Sequence, residues 1–297
     1  MSNARDNGIF IDNPVVDGKY HRCRTADRPN KKNGWYRVFT NPFYATFGNW
    51  ATGEKHRMTE PGEIKSEVWA DMQKRIKERS SLNKLKQEEL QAKVALKANL
   101  IYTKSSGVTQ HPYLNQKGFD YIRGVKRAFT DLVVPLWNLE CGTPGELKIQ
   151  NLQFIGLNSN KRFLRNGKVK SCAFLIWPES RQVNHIYICE GVATAATLHQ
   201  LSDNLVIAAM NANNLENIAK FSQRLWPDSQ ITICGDDDYL TELRTGNNPG
   251  KEAALKAASF TGGITSFPPL TLDQKEQGLT DWNDWQNAQR GIQNEQG

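Results

Sequence analysis

No stretch of the 297 residues reaches the roughly 18 consecutive apolar side chains that a membrane-spanning helix needs, so no membrane partner is expected. The opening Met-Ser-Asn-Ala-Arg-Asp lacks the apolar core of a secretory leader. Cysteine is scarce: five residues, at positions 23, 141, 172, 189 and 234, each isolated. That spacing excludes a Cys-x-x-Cys zinc ribbon and a disulfide framework, and it is the usage of a reducing, cytoplasmic compartment. A Walker-type phosphate loop is missing as well. Gly246-Asn247-Asn248-Pro249-Gly250-Lys251 has one residue too few between its glycines, and Glu252 stands where Ser or Thr is required, so no ATP-driven motor is expected. Acid is thin in the front of the chain, where residues 1–130 carry 24 Lys+Arg against 13 Asp+Glu, net +11. Residues 181–297 reverse this with 8 against 14, net −6. A basic front and an acidic rear suit a protein that holds a polyanion with one part and a metal with the other, although a solvated basic helix surface would give the same front.

What the rear does contain is acid at two telling places. The apolar run Ile186-Tyr187-Ile188-Cys189 ends in Glu190-Gly191, and Ile231-Thr232-Ile233-Cys234 is followed, after Gly235, by Asp236-Asp237-Asp238. Both runs have the length and β-branched or aromatic content of buried strands. Open parallel α/β sheets bind ligands at the C-terminal edge of their strands. Carboxylates gathered there repel one another unless a cation sits between them, which points to a divalent metal site. Asp is also an ordinary turn and helix-cap residue, so a single one would say little. Two acidic strand ends, one strand-helix-strand unit apart, say more.

The remaining chain divides by composition. Residues 1–58 are rich in turn residues and aromatics and predict a small β-rich module, with strands near 36–39 and 45–47. Here Arg22, Arg24, Arg28, Lys31 and Lys32 mix with Tyr20, Trp35, Tyr36, Phe43 and Trp50. Such mixing is the recipe for single-strand binding and equally the content of a small core. Residues 59–104 predict a helical arm opening at Glu60-Pro61-Gly62 and divided in two at Ser80-Ser81, with Ser81 a cap for the second helix. Residues 105–180 read as a mixed β subdomain punctuated by hairpin turns. Its loop Lys161-Arg162-Phe163-Leu164-Arg165-Asn166-Gly167-Lys168-Val169-Lys170 sets five cations in ten residues, suited to phosphates or a template-primer duplex over the metal site. Residues 181–270 alternate strand and helix as a compact parallel α/β unit, with an insertion at 239–247 that could serve as a lid. Residues 271–297 complete the chain with a second acidic motif.

The segment Tyr187 to Ala195, with Ile233-Cys234-Gly235-Asp236-Asp237-Asp238, resembles the Toprim domain of bacterial-type primases, topoisomerases and some nucleases. Asn248-Pro249-Gly250-Lys251-Glu252 is similar to the helix start that follows the aspartates in primases. Thr280-Asp281-Trp282-Asn283-Asp284, His111 to Gly118 and Lys161-Arg162-Phe163-Leu164 are similar to the plasmid and prophage primases of mobile elements. The resemblance implies an α/β fold: a Toprim-type parallel four-stranded sheet with flanking helices, preceded by the mixed β subdomain, the helical arm and the N-terminal module. It implies a DNA primase that uses Mg²⁺ or Mn²⁺, a single-stranded DNA template and nucleoside triphosphates, in the setting of a mobile element's replication or transfer. A replicative helicase or relaxase is the kind of further partner it admits. By the same resemblance Asp236 and Asp238 are metal ligands, Glu190 is a further ligand or general base, and Asp237 either joins them or faces away. Asp281 and Asp284 complete a second ion site, and Lys161, Arg162 and Lys251 bind nucleotide phosphates. From the residues themselves, Arg22, Arg24, Lys31, Lys32, Trp35, Arg165, Lys168 and Lys170 are the candidate nucleic-acid contacts. Two other readings stay open: a metal-dependent nuclease on the same sheet, and a single-strand DNA-binding protein without catalysis. A strand-passage topoisomerase needs a nucleophilic tyrosine and a large clamp, for which 297 residues leave little room.

Overall fold

The computed structural model describes residues 2–40, 43–59 and 66–295. The chain separates into two compact units, Met1–Asn83 and Lys84–Gly297. In the first, a short helix α1 (Ser2–Asp6) precedes five antiparallel strands in sequential order: β1 (Ile9–Phe10), β2 (His21–Thr25), β3 (Gly34–Thr40), β4 (Phe43–Asn49) and β5 (Lys55–Thr59). The period-two alternation of strands sends Cys23, Tyr36, Val38, Ala45 and Phe47 to one face, where they form a core with Ala4 and Ile9. Trp35 belongs to the other face, opposite Arg22 in register.

Helix α2 (Ser66–Lys104) follows. It is one continuous helix of 39 residues, which corrects the expected division at Ser80-Ser81. Neither Gly nor Pro interrupts this stretch, and a Ser in a helix interior costs only a fraction of a kcal/mol. The expected opening at Glu60-Pro61-Gly62 lies outside the described residues. Among the described residues no helix is long and apolar enough to cross a membrane.

The second unit begins with α3 (Pro112–Lys117), β6 (Lys126–Ala128), β7 (Asp131–Asn138), β8 (Ile149–Ile155), β9 (Lys161–Phe163) and β10 (Cys172–Ile176). It continues with β11 (His185–Cys189), α4 (Val192–Ser202), β12 (Leu205–Ala208), α5 (Ala212–Leu225) and β13 (Gln230–Cys234). The chain then forms α6 (Tyr239–Thr245), α7 (Pro249–Thr261), β14 (Ile264–Ser266), α8 (Leu272–Glu276) and α9 (Trp282–Glu295). All its strands form one mixed sheet in the order β14-β13-β11-β12-β10-β7-β8-β9, with β6 beside β7. The four strands β14, β13, β11 and β12 are mutually parallel as expected, and β10 continues the sheet antiparallel to β12. The mixed β strands and the parallel strands therefore share a single sheet.

Three cores cover its faces, one of them formed by Val133, Ile149 and Leu152 with Ala98 of α2. Ile186, Ile188, Ile207 and Ile233 pack beneath α5 and α7, while Val134, Phe174, Val206 and Cys234 pack with α3 and α4. Each such apolar side chain contributes about 1.5–3 kcal/mol on burial. Helix α4 is buried continuously from Val192 to Leu198, because its Ala and Thr side chains are small enough to let the helix lie close on the sheet. From β11 the chain runs outward to β12 and returns across to β13 on the other side, so the crevice between the ends of β11 and β13 is a topological switch point.

Candidate active site

Cys189 and Cys234 are register partners at the ends of β11 and β13. The residues just beyond them, Glu190 and Asp236, therefore open onto the same crevice. Asp281 is brought to it by the backbone: the Asp237 amide donates to the Thr280 carbonyl at 2.8 Å, tying the late acidic segment to the aspartate turn. Asn283, fully buried, fixes that segment from the other side. Its amide donates to the Thr197 hydroxyl at 3.1 Å and to the Lys117 carbonyl at 2.9 Å, joining α9 to α4 and α3.

The electrostatics of the crevice are those of uncompensated negative charge. Burial first, then the neighbouring Asp281, Glu190, Asp238 and Asp284, push Asp236 up to about 8. Burial, with Asp238 and Asp281, also raises Glu190. One oxygen of Asp236, Oδ1, is buried and finds no hydrogen-bond donor among the described residues. The facing cation is Lys161 at the start of β9. Its pKa is lowered by burial and by Lys117, while Asp281, Glu190 and Asp236 draw it back up. Its ammonium lies 5.5 Å from the centre of the Tyr113 ring, and the Tyr113 hydroxyl is itself buried without a partner among the described residues.

The three consecutive aspartates have three different fates. Asp236 faces the crevice. Asp238 stands at the N-cap position of α6 without a side-chain cap bond, and its carboxylate accepts the Gly250 amide at 2.8 Å. Asp237 is buried, held by Lys251 at 2.8 Å, by Lys275 at 2.9 Å and by the Asn248 amide at 2.9 Å. Burial opposes its ionisation, yet these three donors hold its pKa below the ordinary value. Asp237 is thus a buried anion with both oxygens engaged by protein donors. The Lys251 ammonium lies against this carboxylate, with Glu242 at 3.8 Å. Asn248 joins the turn from above, accepting the amides of Asp238 and Lys251 and donating to Asp237 and Glu242. The turn closes only because residue 250 is glycine: a Cβ there would stand 2.4 Å from the Asp236 carbonyl.

Asp281 and Asp284 cap α9 reciprocally. Asp281 accepts the Asp284 amide at 2.9 Å, and Asp284 accepts the Thr280 amide at 3.1 Å and pairs with Lys117 at 3.5 Å. Asp281 remains near the crevice, whereas Asp284 has acquired partners of its own. Lys117, Lys275 and Asn283 join the site from far along the chain, and no local spacing marks them.

The expected basic contacts are dispersed. Arg162 pairs with Asp131 at 2.6 Å and lies over the Phe154 ring, Lys168 pairs with Glu140, and Arg165 and Lys170 are exposed. In the N-terminal unit Arg22, Lys31 and Lys32 are exposed and Arg24 pairs with Asp12. Trp35 is only 6% exposed, sandwiched between Tyr20 and Trp50 with ring centres 5.3 and 5.5 Å away, so it is no open platform. Trp50 itself is 60% exposed.

Whether the crevice suits a divalent ion can be judged from its donors. Glu190, Asp236, Asp238 and Asp281 offer hard carboxylate oxygens, and the orphaned Asp236 oxygen is a ligand without a partner. Among the described residues no three His, Cys, Asp or Glu side chains are gathered to ligating distance.

Comparison with known proteins finds relatives of this part of the chain. Residues 185–291 match the Toprim domain family, a stretch that includes both acidic strand ends and the late Asp281–Asp284 segment. Two proteins named DNA primase TraC from Escherichia coli are similar over most of the chain. One is 26% identical over 272 residues, 86% of this chain and 24% of the relative. The other is 27% identical over 279 residues, 89% of this chain and 19% of the relative. The chain thus spans a quarter or less of the length of these curated relatives. A crystal structure of a DNA primase domain from Pseudomonas aeruginosa aligns with 18% identity and a TM-score of 0.33, over 48% of this chain and 45% of that one. The resemblance to Toprim primases read from the sequence is borne out.

Proposed function

We propose that this chain synthesises primers on single-stranded DNA by nucleotidyl transfer at the crevice between β11 and β13. The observation that carries the reading is the convergence of Glu190, Asp236 and Asp281 at the switch point, with Lys161 as the facing cation. A Mg²⁺ or Mn²⁺ ion held by Asp236 with Asp238, Asp281 or Glu190 would polarise the attacked phosphate and neutralise the leaving pyrophosphate.

The chain's own residues do the rest. Glu190, whose burial and acidic neighbours raise its pKa, takes the proton of the primer 3′-hydroxyl as its oxygen bonds to the α-phosphorus and the bond to pyrophosphate breaks. Lys161, braced on the Tyr113 ring, holds the triphosphate over the crevice. Asp237, locked by Lys251 and Lys275, fixes the backbone on which Asp236 and Asp238 are displayed. In the N-terminal unit the exposed Trp50, backed by Trp35, whose register partner is Arg22, offers a stacking surface for the template.

The test is incubation of the protein with single-stranded DNA, labelled nucleoside triphosphates and Mg²⁺ or Mn²⁺, beside Asp236→Asn. Short labelled products from the native protein alone are expected. Products from both would remove the crevice from the mechanism. Metal-dependent loss of the template without nucleotides would replace the reading with a nuclease.

A further inference from the structure

The connection between β6 and β7 is two residues long, Phe129-Thr130, with Ala128 opposite Asp131. Tight hairpins of this kind favour Asn and Gly, which tolerate a left-handed backbone. Here Phe129 adopts φ +56°, a conformation rarely taken by a bulky side chain, and its ring is 96% exposed. Aromatic rings ordinarily bury 150–250 Å² each and anchor cores. This one touches no core.

Three contacts hold the tip in place. Arg127 donates to the Phe129 carbonyl at 2.8 Å, and Arg162 pairs with Asp131 at 2.6 Å. His111 reaches the Thr130 carbonyl through Nε2 at 3.1 Å while its Nδ1 accepts the Tyr113 amide, so Nε2 carries the proton. The tip is thereby tied to the residue whose ring supports Lys161. Across the sheet, Lys161, Ile155, Leu132 and Arg127 are successive register partners, three strand spacings or about 14 Å from end to end. In this register Arg127 and Lys161 share one face of the sheet, while Lys126, Arg162 and the carboxylate of Asp131 lie on the other.

We propose that Phe129 is a stacking platform for an unpaired base of single-stranded nucleic acid, with Arg127 and Lys161, on one face of the sheet, following the backbone as the strand approaches the acidic crevice. A lone exposed ring among cations suits a base and phosphates; a protein partner would be met by a wider apolar patch. The inference rests on the nucleotidyl-transfer reading for the direction in which the strand runs, while the binding itself can be tested alone.

The experiment measures fluorescence anisotropy of a labelled oligothymidylate, without nucleotides or metal, for the native chain, Phe129→Ala and Phe129→Trp. Thermal melts check that the variants stay folded, as the exposed ring predicts. Phe129→Ala is expected to weaken binding about tenfold with an unchanged salt dependence, and Phe129→Trp to restore it. An iododeoxyuridine oligonucleotide should photocrosslink to Phe129. Native affinity in Phe129→Ala, or a loss that Trp does not restore, would overturn the proposal. Because primer synthesis by Asp236→Asn is assayed separately, failure of the catalytic reading and failure of the stacking platform show up in different measurements.

Discussion

Replacing Asp236 with Asn should abolish nucleotidyl transfer and at the same time make the metal-free protein more stable. The crevice raises the Asp236 carboxyl from 3.8 to about 8 because burial and four neighbouring carboxylates oppose its charge. The folded state therefore keeps a proton that the unfolded chain releases, and stability falls as pH rises from about 4 to about 8. At pH 7 the burden amounts to at most about 4 kcal/mol, since each pKa unit is worth about 1.36 kcal/mol, and relaxation of the crevice reduces it to roughly 2–4. An Asn of the same shape removes the titration and can donate its amide to Glu190 or Asp281. For a unit of this size the variant's melting temperature at pH 7 should lie about 5–12 °C above the native value. The assay is thermal unfolding in chelator across pH 4 to 9. The gap between variant and native should be small near pH 4 and widen to a plateau above pH 8. Added Mg²⁺ should raise the native melting temperature and leave the variant nearly unmoved. A variant that melts at or below the native protein at pH 8 would refute the claim that Asp236 carries uncompensated charge.

Gly250→Ala should lower stability by about 1–3 kcal/mol, since its methyl would collide with the Asp236 carbonyl, and primer yield should fall with it; chemical denaturation and the primer assay read both. Lys275→Met should cost about 1–3 kcal/mol by leaving Asp237 with Lys251 and Asn248 alone, a loss visible in denaturant midpoint at pH 7 and fading only as pH falls below the ordinary carboxylate range through the lowered pKa of Asp237. Asn283→Ala should cost about 1–3 kcal/mol from the orphaned Thr197 and Lys117 groups, with thermal unfolding as the readout. Trp35→Ala should destabilise the N-terminal unit by about 3–5 kcal/mol, whereas Trp50→Ala should leave its melting nearly unchanged and weaken single-stranded DNA binding; calorimetry and anisotropy separate the two.

Much of the site is legible in the sequence because parallel strands deliver their following residues to a common edge. Two apolar runs ending in Glu190 and in Gly235-Asp236 needed no tertiary information to be placed side by side. What could not be read is which of three adjacent aspartates faces the crevice. Asp236, Asp237 and Asp238 are equivalent in type and spacing, and they diverge only because Lys275, on a helix that follows another strand, arrives to join Lys251 at Asp237. Which of the two readings holds for Trp35 turns on a related effect. Its strand position does turn it away from the module's core, but Tyr20 and Trp50 close over it from outside the strand. The helix break at Ser80-Ser81 failed on energetics alone, since a helix long enough to span that pair outweighs two mildly unfavourable residues.

The division of labour among the aspartates explains why the turn has three. A carboxylate displayed into a negatively charged crevice is unstable in its own position, and Asp236 has no donor among the described residues to hold it there. The turn must therefore be fixed by something other than its functional side chain. Asp237 supplies that, drawing Lys251, Lys275 and Asn248 to the opposite side of the same backbone, while Asp238 bonds to the first turn of α7. Charge repulsion on one side is thus offset by charge pairing one residue away. It follows that neutralising Asp237 should disturb the crevice through geometry and neutralising Asp236 through charge, so Asp237→Asn should lower stability where Asp236→Asn raises it.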